Sequence, residues 1–447
     1  MRAEKRSVLQ EGATSPPIVL FEDQRAAQLG PLALTRPVFD LVVGAFRQRE
    51  RIAALCGAWP QAARVRPALR PWLAEAGMRD VAETPAVPAR LLVNARWLPQ
   101  AEDWGMATAL PLGAQLRSSQ GDLLALHAGK DLSAALALLT DAAGAPERPD
   151  GPVELAPQAT ILRDSWDLVS SHEALLGPDV QGLLAGVRSG DRSGFAPIVD
   201  EPGAGVFVHG DGVVAHESAG ITPPVFFDST PGPVVIEEDA QVGPFSHLTG
   251  PMMLARGTHF LGGSVTGTYL GPGCRVRGEV TGSIFLGWSN KAHDGFVGHC
   301  YIGEWVNLGA MTTSSNLKNT YGAISMGTAA GPRPTGRIKL GSLIGDHART
   351  AIGTLLAGGS QVGVAVNLFG AEGPAGKWLP SFLWGVGQRS ETYDLARFLA
   401  VAERVLGRRE RPLTPGQREI LSAAFAETSA ERRDYLDAAA AAPDGPE

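Results

Sequence analysis

The stretch Val234-Val235-Ile236-Glu237-Glu238-Asp239-Ala240-Gln241-Val242-Gly243-Pro244-Phe245-Ser246-His247-Leu248 decides the fold, and it opens a pattern that continues to Leu368. Apolar residues recur every six positions at Ile236, Val242, Leu248, Leu254 and Phe260, and again at Leu270 and Val276 after a break in phase. A third run has Ile284, Asn290, Phe296, Ile302 and Leu308, with one polar exception. A fourth has Ile344, Thr350, Leu356, Val362 and Leu368. Glycine directly follows several of them, as in Val242-Gly243, Ile302-Gly303 and Val362-Gly363. A helix would repeat its buried face near 3.6 residues and a single strand near 2. A period of six instead suits a solenoid of short strands, each pointing one apolar side chain inward. Gly-rich disorder fails as a reading because Ile, Leu and Val at the inward positions can bury a continuous core. The phase breaks near residues 261–269 and 318–338 are expected to be loops projecting from the coils, a usual place for binding residues on a rigid scaffold.

Outward from the repeats, the 447-residue chain is long enough for two or three domains. Its 55 glycines exceed the usual share of about 7%, and roughly half of them fall in the repeat region. On the N-terminal side, Pro17 to Phe21 reads as a buried strand. Phe39 to Leu55 and residues 62–79 read as helical, the latter interrupted by Pro67 and Pro71, and Arg90 to Asn94 reads as a second strand. That order predicts an α/β domain with a mainly parallel sheet over 18–150, behind a disordered tail at 1–17 and closed by the Ala145 to Pro152 linker. Residues 151–230 are expected to connect it to the repeats, with a helix from Asp164 to Leu176. Val206 to Ala215, around Asp211-Gly212, is expected to be a hairpin. The β-helix is assigned to 231–385. Residues 386–447, with helical spacing in Ser390 to Leu406 and Pro415 to Ala441, are expected to cap the end of the coil.

Composition excludes some functions. Lys+Arg 39 against Asp+Glu 46 gives a net charge of −7, which argues against a nucleic-acid binder. No run of about 18 apolar residues argues for a membrane span. The three cysteines are odd in number and widely spaced, which fits a reducing cytoplasm. Only six lysines are present, and Lys291, Lys318 and Lys339 fall in one block.

That block contains the most specific motif, Ser289-Asn290-Lys291-Ala292-His293-Asp294-Gly295-Phe296-Val297-Gly298, followed by Ile302-Gly303-Glu304-Trp305-Val306-Asn307-Leu308-Gly309-Ala310. It resembles the acetyltransferase half of the bifunctional glucosamine-1-phosphate N-acetyltransferase / N-acetylglucosamine-1-phosphate uridyltransferase family. With Leu20-Phe21-Glu22-Asp23 and Pro31-Leu32-Ala33-Leu34-Thr35-Arg36-Pro37, the chain looks closer to a variant bacterial branch of it, whose N-terminal domain is sugar nucleotidyltransferase-like. The resemblance covers about residues 18–385. It implies a left-handed parallel β-helix of hexapeptide repeats, a homotrimer with active sites between neighbouring coils, and acetyl-CoA as cosubstrate. It places a general-base histidine at His293 and substrate-binding residues at Lys291, Asn307, Asn316 and Lys339. The chemistry agrees, since an ammonium must lose a proton before attacking a thioester and imidazole titrates near neutral pH. Taken alone, His293 and His299 also read as plain corner histidines, and a zinc site from His293, His299 and Cys300 lacks a fourth ligand.

The chain departs from that family in several places. Phe296 stands where the family has a tyrosine. The residues that hold the sugar phosphate in the usual enzyme fall on Thr249 and near Gly282, with Arg256, Arg275 and Arg277 on nearby coils as substitutes. In the N-terminal half the loop Phe21-Glu22-Asp23-Gln24-Arg25-Ala26-Ala27 lacks the glycines that cradle nucleotide phosphates. Asn94 stands in the place of a metal-binding aspartate, and an amide is a poorer Mg²⁺ ligand than a carboxylate. Asp23, Arg36 and Asn94 remain the candidate nucleotide contacts, with Asp23 as the candidate Mg²⁺ ligand if that half is active. Three readings follow. The first is acetylation of glucosamine-1-phosphate followed by uridylyl transfer from UTP. The second is acetylation of another, nucleotide-linked amino sugar beside an inactive N-terminal domain. The third is a non-catalytic trimeric scaffold.

Overall fold

A computed structural model describes residues 17–82, 91–128, 152–371, 373–387 and 390–441. The expected tail, apart from Pro17, and all of the expected linker but Pro152 lie outside the described residues.

Ile18–Phe21 is buried along its whole length, as a central strand covered on both faces must be. It pairs in parallel with Ala62–Arg64 on one side and Leu91–Asn94 on the other. Arg79–Asp80 extends the sheet past Ala62–Arg64. Leu123–His127 runs antiparallel between Leu91–Asn94 and Gln115–Ser118, and Val153–Ala156 forms the edge. Four of the six pairings are parallel, so the sheet is mainly parallel as expected, with Leu123–His127 as its one antiparallel insertion. The helical reading of 39–55 is corrected, because a short hairpin of Val42–Val43 and Phe46–Arg47 precedes a helix confined to Gln48–Cys56. Residues 62–79 open as a strand before the Arg70–Ala76 helix. Ala62-Ala63-Arg64 has no β-branched residue, so pairing with the central strand overrides its weak propensity. The chain adds strands on one side of Ile18–Phe21 and then returns to the other side with Leu91–Asn94. The carboxyl ends of these two strands therefore flank a topological switch point, where open α/β sheets leave a crevice.

The second unit is a parallel β-helix. One of its faces is a ten-stranded sheet from Phe195–Pro197 to Trp378–Leu379, joined almost throughout by parallel pairs; a twelve-stranded sheet and a four-stranded sheet make the others. The period-six residues form its core, with Ile236, Val242, Leu248, Leu254, Phe260, Leu270, Val276, Ile302, Leu308, Ile344, Leu356, Val362 and Leu368 buried together. Three expectations change. Val206–His209 and Val213–His216 are not a hairpin: each pairs in parallel with a strand of the next coil, in a different sheet. The turn at Gly210 (φ 91°) is thus a coil corner. The break near 261–269 is not a projecting loop, because His259–Thr266 is one strand that absorbs the extra residues as a register shift between Phe260 and Gly263. The first three positions of the third run are out of phase by one: Phe285, Lys291 and Val297 stand level with the inward Leu270, Val276 and Val280. The 318–338 break does form an excursion, with a small hairpin of Ser325–Met326 and Arg333–Pro334.

One corner column is built against backbone preference. Trp288, Trp305, His347, Ala365 and Phe382 all have positive φ, between 54° and 61°, a conformation costing an L-residue roughly 1–2 kcal/mol. Stacking offsets it: the Trp288 and Trp305 rings lie 5.5 Å apart at 14°, and His347 continues the stack. The C-terminal helices cover this column, with Phe398, Leu399, Leu406 and Leu421 in one cluster with Trp305, Val364 and Phe382. The Pro415–Glu427 helix also reaches the Arg70–Ala76 helix of the first unit, where Thr414 hydrogen-bonds Glu75.

The two units share a core that mixes Leu20, Phe39, Val42 and Leu168 with Tyr269, Ile284, Tyr301 and Leu343. The Tyr301 hydroxyl accepts from Val42 N–H at 3.0 Å and donates to its carbonyl. Around that contact lies a buried ion network. Arg36 pairs with Asp346 at 2.6 Å, Glu304 at 3.2 Å and Asp40 at 3.3 Å. Arg47 pairs with Asp40 at 2.7 Å and Glu304 at 3.3 Å, and Thr35 donates to Asp346 at 2.6 Å. Burial alone would raise the Glu304 pKa, but Arg36 and Arg47 outweigh it and hold the carboxyl down at about 2.

Removing one partner of a buried pair strands the other, so Asp346→Ala is expected to cost about 3–5 kcal/mol. Urea unfolding measures this, and an unchanged midpoint would contradict a latch between the units. Acid is expected to loosen the same junction. Burial holds the His172 and His347 pKa values down at about 4, and burial with the nearby Lys339 and Arg337 charges does the same at His299. In the unfolded chain these imidazoles titrate near about 6.5. The unfolded state thus binds more protons between those values, and stability that is full above about pH 6.5 is lost as pH falls toward 4. Thermal midpoints measured from pH 7 to 4 test this; a flat profile across that window would refute it.

Candidate functional site

Two groups of polar side chains gather on the coil, at different corners. His293 lies in the turn between the strands Asn290–Lys291 and Phe296–Gly298, and its side chain is exposed. No hydrogen bond engages its ring among the described residues, so both nitrogens are open to a substrate. Arg277 is exposed beside it, pairing with Asp294 at 3.1 Å and donating to the Leu261 carbonyl at 2.9 Å. Arg275 also points outward from the same strand, while Arg256 is paired with Glu238. Lys291 points the other way. Its ammonium sits inside the coil corner, donating to the carbonyls of Arg277 and His293 at 2.8 Å each. Burial lowers its pKa to about 8, with Asp294 opposing. The lysine thus props the turn that displays His293. Asn307 lies one coil below Asn290 and accepts from its amide at 3.0 Å.

The second corner follows the Phe296–Gly298 strand. The Asn316 amide donates to His299 Nδ1 at 2.7 Å, which leaves the ring proton on Nε2. That nitrogen faces Glu173 at 3.4 Å, and Glu173 pairs with Arg337 at 2.8 Å. Lys339 is exposed nearby, closing the base of the excursion through a bridge to Leu317. Both nitrogens of His299 are therefore engaged, and it has no lone pair free for base work. Asn316 and Lys339 join His299, not His293. Within one chain the residues expected around a single acetyl-transfer site thus divide between two corners. The His299 network was invisible in sequence because Glu173 comes from the Asp167–Ser189 helix, more than a hundred residues away.

The N-terminal crevice holds Asp23 and Asn94 together, with the Asn94 amide donating to Asp23 at 2.9 Å. Arg36 is elsewhere, committed to the latch with the coil. Missed in the sequence were Arg96, which grips both oxygens of Asp23 at 2.8 and 2.6 Å, and Asp122, which Arg25, Arg96 and Arg163 all approach. Arg96 stood in plain view two residues after Asn94. Burial works against the charge of Asp122, but Arg163 and Arg96 hold its carboxyl below the usual range. This donor set does not fit Mg²⁺. Both carboxylates are spent on guanidinium groups, Asn94 turns its NH₂ toward Asp23, and the described residues contain no group of three or more acidic, His or Cys side chains able to hold a metal.

Comparison with known proteins agrees with the architecture of the first unit. Residues 18–187 match the family described as "Sugar nucleotidyl transferase". A curated "Bifunctional sugar-1-phosphate nucleotidylyltransferase/acetyltransferase" from Sulfurisphaera tokodaii is 30% identical over 156 residues, covering 31% of this chain and 35% of that protein. The chain thus matches about a third of the length of that relative. A solved UDP-N-acetylglucosamine acyltransferase from Arabidopsis is 12% identical with a TM-score of 0.20, covering 54% of this chain and 95% of that one. No helix among the described residues is long and apolar enough to cross a membrane. The chain joins a sugar nucleotidyltransferase-like α/β domain to a parallel β-helix, with a helical segment at its C-terminus.

Proposed function

We propose that the coil transfers the acetyl group of acetyl-CoA to the amine of glucosamine-1-phosphate, with His293 as general base. The N-terminal domain then transfers uridylyl from UTP to the product, giving UDP-N-acetylglucosamine and pyrophosphate. The observation that carries the reading is the open imidazole of His293 on a corner braced from inside by Lys291. The base takes a proton from the amine as its nitrogen attacks the thioester carbon. The C–N bond forms, the C–S bond breaks, and coenzyme A leaves as the thiol. Arg277 and Arg275, exposed beside that corner, would meet the sugar phosphate in place of the family's usual contacts. Substrate would lie between coils of neighbouring subunits in a homotrimer, where Asn316 and Lys339 of one chain can meet His293 of the next. The division of these residues between two corners of one chain supports that assembly.

A nucleotide-linked amino sugar is the second acceptor, favoured by Thr249 and Gly282 at the places of the usual phosphate contacts. An acceptor screen by mass separates the two. With glucosamine-1-phosphate, acetyl-CoA should release free thiol. His293→Ala should lower kcat by about 100-fold or more, the lower end for a general base, with the thermal midpoint unchanged because the ring is exposed. Full activity in that variant would end the base assignment.

A further inference from the structure

The residues at the carboxyl ends of Ile18–Phe21 and Leu91–Asn94 form a compact charge cluster that acetyl transfer does not use. Every oxygen of its two carboxylates is taken. Asp23 Oδ1 accepts from Arg96 Nε at 2.8 Å and Arg25 N–H at 3.1 Å, and Oδ2 from Arg96 Nη2 at 2.6 Å and Asn94 at 2.9 Å. Asp122 Oδ1 accepts from Arg25 at 3.1 Å and lies 3.4 Å from Arg96. Its Oδ2 accepts from Arg163 at 2.7 and 3.0 Å. Asn94 Oδ1 is already held by Arg96 N–H at 2.9 Å. Glu22, the other nearby acid, is spent on Arg66 and on Val38 N–H.

Arg96 is 1% exposed and further anchored to the Leu162 carbonyl. A divalent cation entering between Asp23 and Asp122 would have to expel it, leaving a guanidinium buried without its partners. The cluster already contains its cation. Three guanidinium groups converge on these two carboxylates, with Asp167 behind them accepting from Arg163 N–H at 2.8 Å. Two of the guanidinium groups lie on the outer side, where the Arg25 and Arg163 side chains are 55% and 32% exposed. Both end on oxygens of the same Asp122 carboxylate, which sets them side by side. Two adjacent guanidinium groups with open donors suit phosphate oxygens, and a switch-point crevice is where such a ligand lodges.

We propose that this crevice binds the phosphates of a nucleoside triphosphate, or pyrophosphate, on Arg25 and Arg163 without a divalent metal, Arg96 serving as the fixed cation in the metal's place. This rests on the nucleotide-handling reading of the N-terminal domain and is independent of acetyl transfer on the coil.

Calorimetry on the whole protein tests it, with pyrophosphate and UTP as probes, once in EDTA and once in excess Mg²⁺. Binding in EDTA at one site per chain, not strengthened by Mg²⁺, is expected. Arg25→Ala and Arg163→Ala should each weaken pyrophosphate about tenfold, the effect of losing one charge-assisted hydrogen bond, with the fold retained by circular dichroism and the thermal midpoint lowered for Arg163→Ala, which strips a partner from the buried Asp122. Manganese added to the protein alone should stay free by paramagnetic resonance. Binding that needs Mg²⁺, a stoichiometric Mn²⁺ site, no binding of either probe, or variants that bind as well as the parent would each overturn the proposal. Thiol release by the same preparations is a separate readout. Its loss with phosphate binding intact would count against acetyl transfer alone.

Discussion

The pairing of Arg36 with Asp346, Glu304 and Asp40 is the constraint on which the arrangement of the two units rests. An arginine stripped of water is tolerable only where carboxylates surround it. Here two of the three come from the coil and one from its own domain. None of the acids can move without uncovering a charge, so the network fixes the rotation of the first unit about the coil as well as its position. The apolar core that runs from Leu20 to Leu343 supplies area but little direction. The ions supply the direction. Asp346 does double duty, since its other oxygen accepts from Glu304 N–H at 2.7 Å and ties two successive coil corners together.

The coil contributes rigidity of another kind. Each strand is held by backbone bonds to the coils before and after it, so the side chains at a corner keep their positions relative to corners elsewhere. His293 and His299 sit at the two ends of one three-residue strand and have opposite environments. One is open and unengaged; the other is hydrogen-bonded to Asn316 through Nδ1 and faces Glu173 of the first unit through Nε2. A histidine's usefulness here is set by what its neighbours leave free; apart from the motif that singles out His293, residue type and position at a corner do not tell the two apart.

Much of the coil was legible because an inward position must be apolar whatever its neighbours are, and a fixed period survives local variation. What escaped was phase. The step from Phe285 through Lys291 and Val297 to Ile302 has one corner a residue shorter than the others, and Ile284 beside Phe285 made the wrong residue look inward. Lys291 was harder still, since an ammonium inside a coil is acceptable only because two carbonyls converge on it. In the first unit, Asp23 and Asn94 lie together because one follows and the other ends a buried strand of a parallel pair. Arg36 lies apart from them for a physical reason: its partner is 310 residues away, and no local pattern announces a buried ion pair. Arg96 carries no signal of its own, since nothing in Val93-Asn94-Ala95-Arg96 says that its guanidinium turns back onto Asp23.

The stacked column of Trp288, Trp305 and His347 has an optical consequence. Two indoles 5.5 Å apart and nearly parallel couple their electronic transitions, and the coupling falls steeply with separation and angle. The pair sits where coil, C-terminal helices and ion network converge, with Arg411 over Trp288 at 3.9 Å. The protein therefore carries its own chromophore dimer at the junction, and near-ultraviolet circular dichroism would follow that joint without any attached label.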